Sequence, residues 1–220
     1  MNIIIQARMS SVRLPKKMSI KVNNYSILEH VINRILLIPK NKQIFVATSE
    51  QKDDDEIQEI SKKYSVTLFR GNLNNVYQRY YDLISKYRLD HFIRISGDSP
   101  LIDYDIILKC YEIFSKNDYD VVTNKNPRSF PIGQTVEVIN SNAFINSKKY
   151  VTNDHFKEHV TIHMYKKNYK FFNYSYKKDY SNLNLSIDNQ NNLKKFNNFI
   201  NFNKNNNLKL DEIIKFYEEN

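Results

Sequence analysis

Glycine is scarce in this chain, three residues in 220, and cysteine occurs once. A lone cysteine excludes an internal disulfide, so nothing in the sequence points to an oxidising compartment. Its neighbours Ile106, Ile107, Tyr111 and Phe114 predict that Cys110 occupies a buried helix position. No apolar run is long enough to span a bilayer, and Ile3 to Ile5 is too short a run for a signal peptide, so a cytoplasmic protein is expected. Neither an internal repeat nor a linker stands out, and a single domain over residues 1–220 is expected. The scarcity of glycine makes Gly71, Gly97 and Gly133 informative, because such a chain keeps glycine where positive φ or close backbone approach demands it.

What the chain does contain is enough apolar sequence, 41%, for a folded core, and a formal net charge of +9. That charge fits nucleic acid, a membrane surface or a phosphorylated small molecule. The joint abundance of Lys, Asn, Ile and Tyr fits equally well a coding sequence rich in A and T, with no selection for charge. Ile3 to Ile5 reads as a short buried strand. Ile27, Leu28, Val31, Ile32, Ile35 and Leu36 then recur at helical spacing behind Ser26 as N-cap. Strands at Gln43–Thr48 and Val66–Phe69 flank a helix at 53–64. Helices through Val76–Tyr87 and Tyr104–Ser115 alternate with strands at Phe92–Ile95 and Asp120–Thr123. This alternation predicts an α/β fold, a Rossmann-like three-layer sandwich on a mostly parallel sheet. After residue 125 the pattern turns into a small β-rich excursion. Strands are expected at 135–139, 171–176 and 183–188, and one helix from His155 to Tyr165. The tail is rich in Asn and Lys, yet Leu193, Phe196, Phe199 and Ile200, then Leu210, Ile213, Ile214 and Tyr217, keep the spacing of two amphipathic helices.

Between Gln6 and Lys17 the chain carries Arg8, Arg13, Lys16 and Lys17 with too few apolar residues to bury a face. A cationic loop at the carboxyl end of a first parallel strand lies where open α/β sheets bind ligands. Backbone N–H groups can cradle phosphate oxygens there, Lys acts as a point cation, and Arg forks onto two oxygens. A nucleoside triphosphate is the expected ligand, although a solvated basic loop has the same composition. Gly71 and Gly97 fall at strand ends on the same side. Asp98 beside Gly97 and Asp188 at the end of the last expected strand are the candidate Mg²⁺ ligands, because Mg²⁺ in phosphate sites is held by one or two carboxylates plus substrate oxygens.

The stretch Gln6, Ala7, Arg8, Ser11, Arg13, Leu14, Pro15, Lys17 resembles the Q-A-R-x-x-S-x-R-L-P-x-K opening of the cytidylyltransferases of spore-coat-polysaccharide, KDO and acylneuraminate type. Ser10 and Lys16 stand where those proteins commonly carry glycine. Arg70-Gly71 with Val76 and Arg79-Tyr80, Arg94 to Asp103, Phe130 to Val138, Glu158 to Thr161 and Leu185 to Asp188 are similar to further motifs in the same order, covering about residues 1 to 190. Asn74 and Asn75 replace an acidic pair, and Gln134 and Thr135 replace Leu-Asp. The resemblance implies transfer of CMP from CTP to a sugar or sugar acid, with release of pyrophosphate and dependence on Mg²⁺. It implies that Arg8, Arg13 and Lys17 hold the triphosphate and act in catalysis. Gln6, Ala7, Ser11, Arg70, Gly71, Gly97 and Asp98 would complete the nucleotide site, Asp98 and Asp188 the metal site, and Gln134 and Glu137 would meet the acceptor. A homodimer is expected, with residues 125–180 serving acceptor binding and subunit contact.

Two other functions fit parts of the sequence. A nucleotide-sugar-dependent glycosyltransferase of similar architecture would bind metal through a D-x-D pair, but Ser96 and Pro100 occupy the positions two away from Asp98. A basic nucleic-acid-binding module would spread its cations along one surface and leave the two aspartates without a role, so no nucleic-acid partner is expected. His155, His159 and His163 at four-residue steps suggest a zinc site on one helical face, but the first and last would lie roughly 12 Å apart along the axis.

Overall fold

The structure is a computed structural model and describes residues 1–165, 169–203 and 208–219. The chain opens with β1 (Asn2–Gln6), a hairpin of β2 (Lys21–Val22) and β3 (Tyr25–Ser26), and α1 (Ile27–Leu36). β4 (Gln43–Ser49), α2 (Asp55–Lys63), β5 (Thr67–Gly71), α3 (Val76–Tyr87), β6 (His91–Ser96) and α4 (Tyr104–Ser115) continue the alternation. The second half holds β7 (Val121–Thr123), β8 (Glu137–Asn140), α5 (Ser141–Asn146), α6 (Asp154–Glu158), β9 (Phe171–Asn173), α7 (Gln190–Phe202) and α8 (Leu210–Glu219).

Among the described residues, seven strands form one sheet in the order β5-β4-β1-β6-β8-β7-β9. β5, β4, β1 and β6 run parallel, while β8 is antiparallel to both β6 and β7, and β9 is parallel to β7. The carboxyl ends of β1, β4, β5 and β6 therefore share one edge. Glu137, the first residue of β8, lies opposite Arg94 at that edge. Successive strand residues point to opposite faces. Ile3 and Ile5 thus join Val46, Ile93 and Val138 beneath α1, α4, α7 and α8, whereas Ile4 joins Phe45, Phe92 and Ile139 beneath α3 and α5. Ile3, Ile4 and Ile5 are fully buried, each worth roughly 1.5–3 kcal/mol of transfer free energy.

The helix ends follow from the local sequence. Ser26 closes a capping box at α1: its hydroxyl accepts from Glu29 N at 3.2 Å and its N–H donates to Glu29 Oε2 at 2.6 Å. Burial would raise the Glu29 carboxyl, but Lys63 and Ser26 prevail and hold it below its usual range. Asp103 caps two helices with one carboxylate, accepting from Asp105 N at 2.9 Å for α4 and from Leu210 N at 2.7 Å for α8. Cys110 is fully buried on α4 as its neighbours predict, and burial pushes its thiol up to about 12.

Three expected elements differ. The segment from His155 to Tyr165 is not one helix: α6 ends at Glu158 and a 3-10 turn resumes at Ile162. His159 leaves helical geometry so that Val160 and Thr161 turn inward, both buried, with the Thr161 hydroxyl donating to Glu137 Oε1 at 2.6 Å. The three histidines consequently share no face, and His163 lies buried against Ser147 Oγ at 2.7 Å. The segment 183–188 is not a strand either. It meets Ile132 through two backbone hydrogen bonds, after which Gly133 at φ 94 turns its partner away and the pairing ends at one bridge. The strand expected over 171–176 is shorter, Phe171–Asn173.

Because each cap accepts identifiable backbone N–H groups, Ser26→Ala is expected to lower unfolding free energy by about 1 kcal/mol and Asp103→Ala by about 2 kcal/mol, measured by chemical denaturation.

Candidate active site

β1 ends at Gln6, and the loop that follows is built to stay put. Ala7 N donates to Ala47 O at 3.1 Å and Lys16 N to Met9 O at 3.1 Å, closing the loop on itself. Asp54, 1% exposed, accepts Met9 N at 2.7 Å on one oxygen and Ser49 N at 2.9 Å on the other, so a buried carboxylate ties the loop to the end of β4. Lys16 adopts φ 54, which accounts for glycine at this position in the resembling proteins; a side chain there costs about 1–2 kcal/mol. Gly97 packs the end of β6 against the same loop. Its N–H donates to Gln6 O at 2.8 Å, and an added Cβ would meet that oxygen at 2.9 Å.

Over these strand ends lies a crevice of about 470 Å³. Lys17, whose side chain is 11% exposed, sits at its floor. The ammonium donates to Asp98 Oδ2 at 2.6 Å, Ile187 O at 3.0 Å and Asp188 Oδ1 at 3.4 Å. The remaining carboxylate oxygens are oriented by hydroxyls: Ser96 Oγ donates to Asp98 Oδ1 at 2.6 Å and Ser186 Oγ to Asp188 Oδ2 at 2.9 Å. Arg13, largely exposed, reaches Asp188 Oδ1 at 3.0 Å, and Arg8 reaches Glu158 at 3.4 Å. Arg8, Arg13, Lys17 and Arg94 face three carboxylates in this lining, which leaves one positive charge in excess. Gln6 and Ser11 line the same crevice; Ala7 is buried beside it.

Two arms extend from the crevice. One runs past Arg8 and Glu158 to Asn72, Asn74 and Asn75. The other passes Arg94 and His159 to Lys125, Asn126, Ile162 and Tyr165. Beneath the second arm Glu137 is completely buried: Arg94 Nη1 and Tyr165 OH donate to it, Thr161 closes the set, and Lys125 Nζ lies at 3.5 Å. Burial would raise its carboxyl, but Lys125 and Arg94 outweigh burial and hold it far below its usual range. The Arg94 guanidinium also donates to Gln6 Oε1 at 3.0 and 3.2 Å, which orients the Gln6 amide.

Four residues assigned from the sequence lie elsewhere. Gln134 is fully buried, with Oε1 accepting Asp103 N at 2.8 Å and Nε2 donating to Leu101 O at 2.6 Å, so its amide braces backbone and does not face the crevice. Glu137 acts on the second arm only through Arg94, Lys125 and Tyr165. Arg70 is held by Ser49 O at 3.0 Å, Gln51 O at 2.6 Å and Asp55, and neither it nor Gly71 lines the crevice or its arms. Conversely Asp54, Ser96 and Ser186 were not singled out; their chemistry as a buried loop anchor and carboxylate orienters depends on contacts across 45 and 2 positions respectively. The Ser-x-Asp spacing at 96–98 and again at 186–188 was the available signal.

A parallel sheet with cations and carboxylates gathered at its strand-end crevice defines a phosphate-handling α/β protein. The chain belongs to the cytidylyltransferase family, whose model matches residues 2–220. An uncharacterized protein of Methanocaldococcus jannaschii is 35% identical over 162 residues, covering 74% of this chain and 65% of its own length. The spore coat polysaccharide biosynthesis protein SpsF of Bacillus subtilis is 29% identical, covering 73% and 68%. A 3-deoxy-manno-octulosonate cytidylyltransferase of Rickettsia prowazekii is 27% identical, covering 55% and 50%. The chain thus spans between half and about two thirds of the length of these curated relatives. A cytidylyltransferase of Leptospira borgpetersenii superposes with a TM-score of 0.94 at 28% identity, over 99% of this chain and 93% of that one.

Glu137→Ala strands the Arg94 guanidinium and is expected to destabilise the fold by about 3 kcal/mol in urea unfolding. The pH dependence has a defined sign. A carboxyl lowered in the folded state contributes stability above its unfolded value, near 4.5, and loses it as pH falls. Unfolding midpoints of the native chain should therefore drop steadily between about pH 5 and pH 3, and Glu137→Gln should flatten that slope.

Proposed function

We propose that this chain transfers the cytidylyl group of CTP to a sugar or sugar acid and releases pyrophosphate. The observation that carries the reading is the convergence of Asp98 Oδ2 and Asp188 Oδ1 on one cation, the Lys17 ammonium, at the carboxyl ends of β1 and β6. An acceptor hydroxyl attacks the α-phosphorus, a new P–O bond forms, and the bond to the β-phosphate oxygen breaks. Such a reaction needs positioning and charge stabilisation more than covalent help. Arg8 and Arg13, exposed on the loop, would fork onto β- and γ-phosphate oxygens and neutralise the departing pyrophosphate. Lys17 supplies a point charge at the crevice floor. The two carboxylates fit Mg²⁺, since one oxygen of each already faces the Lys17 ammonium and the other is fixed by Ser96 or Ser186. Held by Asp98 and Asp188, Mg²⁺ would add charge at the phosphate oxygens and lower the pKa of the attacking hydroxyl.

The arm bearing Arg94, Lys125, Asn126 and His159 suits the acceptor. Two cations there favour an acceptor that carries its own carboxylate; Asn74 and Asn75, neutral where acidic residues are common, line the other arm. The protein is expected to act in the cytoplasm as a homodimer with contacts from residues 125–180.

Thermal stabilisation by CTP, UTP, GTP and ATP, each with and without Mg²⁺, tests the nucleotide. CTP at a hundred times its dissociation constant should add roughly 2.7 kcal/mol, and a shift by nucleoside diphosphate sugars alone would transfer the reading to a glycosyltransferase. Pyrophosphate release with a panel of acidic and neutral sugars tests the acceptor; exclusive use of a neutral sugar phosphate would sink the sugar-acid assignment. Lys17→Ala should lower kcat/KM by about 10²–10³-fold.

A further inference from the structure

We propose that Lys17 is a resident counter-ion. It holds the metal position between Asp98 and Asp188 and gives it up when nucleotide arrives, so that the triphosphate completes the metal site. The proposal rests on the reading that these two aspartates are the metal carboxylates.

An ammonium has three protons to donate and no more. In this structure all three have acceptors, on Asp98 Oδ2, Ile187 O and Asp188 Oδ1. A phosphate oxygen can be taken by Lys17 only if one of these is released. The two carboxylate oxygens it occupies are those not held by the Ser96 and Ser186 hydroxyls, and Asp188 Oδ1 also accepts from the exposed Arg13 Nη2 at 3.0 Å. A divalent ion bound by both aspartates needs those same oxygens. A divalent ion and the ammonium cannot both lie between the two carboxylates at such distances without strong repulsion, whereas Arg13, largely exposed, can swing outward. Burial separates Lys17 from the other loop cations: its side chain is 11% exposed, against 40% for Arg8 and 69% for Arg13. The backbone at Lys17 is fixed by Ser19 N to Lys16 O at 3.0 Å and Ile20 N to Lys17 O at 3.3 Å, so the exchange is confined to a flexible four-carbon stem.

Metal and nucleotide are thereby coupled. The free chain binds a divalent cation weakly because the ion must evict an ammonium. Once CTP offers phosphate oxygens, the ammonium has a second place to go and the carboxylates become available. By reciprocity the metal then raises the affinity for CTP by the same factor.

The test uses Mn²⁺ as probe, with the free ion followed by electron paramagnetic resonance, on the full chain without nucleotide. Lys17→Met keeps the apolar stem and removes the charge. It should bind Mn²⁺ about tenfold more tightly than the native chain. The gain should vanish in Lys17→Met combined with Asp98→Asn. Lys17→Gln is measured alongside in case the Met variant does not fold. Affinity unchanged or weakened in the folded variant overturns the proposal, as does a gain that survives Asp98→Asn. A native chain whose melting curve fails to respond to CTP with Mn²⁺ sinks the assigned function instead, and the two failures are read from separate samples.

Discussion

One buried ammonium joins three parts of the chain that are distant in sequence. Lys17 comes from the loop after β1, Asp98 from the end of β6, and Ile187 with Asp188 from the segment before α7. A charge with little access to water is tolerated only when opposite charge and hydrogen-bond acceptors surround it. The neighbouring residues answer to that requirement. Gly97 lets the end of β6 approach Gln6 closely, Ile187 N donates to Asp98 O at 2.9 Å, and the serines at 96 and 186 fix the carboxylates. Without that convergence the strand ends would still form a sheet, but the crevice above them would have no floor.

A second charge centre sits at the seam between the parallel half of the sheet and the rest. Glu137 gathers Arg94 from β6, Lys125 from the segment after β7, and Thr161 and Tyr165 from the chain that follows α6. Since Arg94 also holds the amide of Gln6, the two centres are linked through side chains that line one crevice. The positions of the second arm and of the loop after β1 are therefore set by the same guanidinium.

The parallel half of the fold was legible because its signals are local. Three consecutive isoleucines, a Ser26 cap with Glu29 three residues on, and helical spacing through Val31 and Ile35 need no knowledge of distant partners. The cationic loop and Asp98 were legible for a similar reason, since charge at a strand end has few structural uses; Asp188 was picked out by a strand that the structure does not form. Contacts made across the fold were not. Nothing around Gln134 announces that its amide will bridge Leu101 and Asp103, and Arg70 beside a glycine does not reveal that three partners on the β4 side will claim it. The break after Glu158 was hidden too, because helical spacing continues through His163 while the inward pull of Thr161 on Glu137 comes from another strand.

β8 alone among the described strands runs against β6, and so the chain enters it from the carboxyl edge. Residues 124–136, which join β7 to β8, are in consequence delivered at the strand-end edge, where Lys125 and Asn126 line the second arm of the crevice. Lengthening a surface connection adds little closure entropy. Within this connection the exposed turn at Asn126 and Pro127 can therefore take insertions while every rung of the parallel ladder stays in register, whereas Phe130, Gln134 and Val136 are buried and hold the rest of it in place.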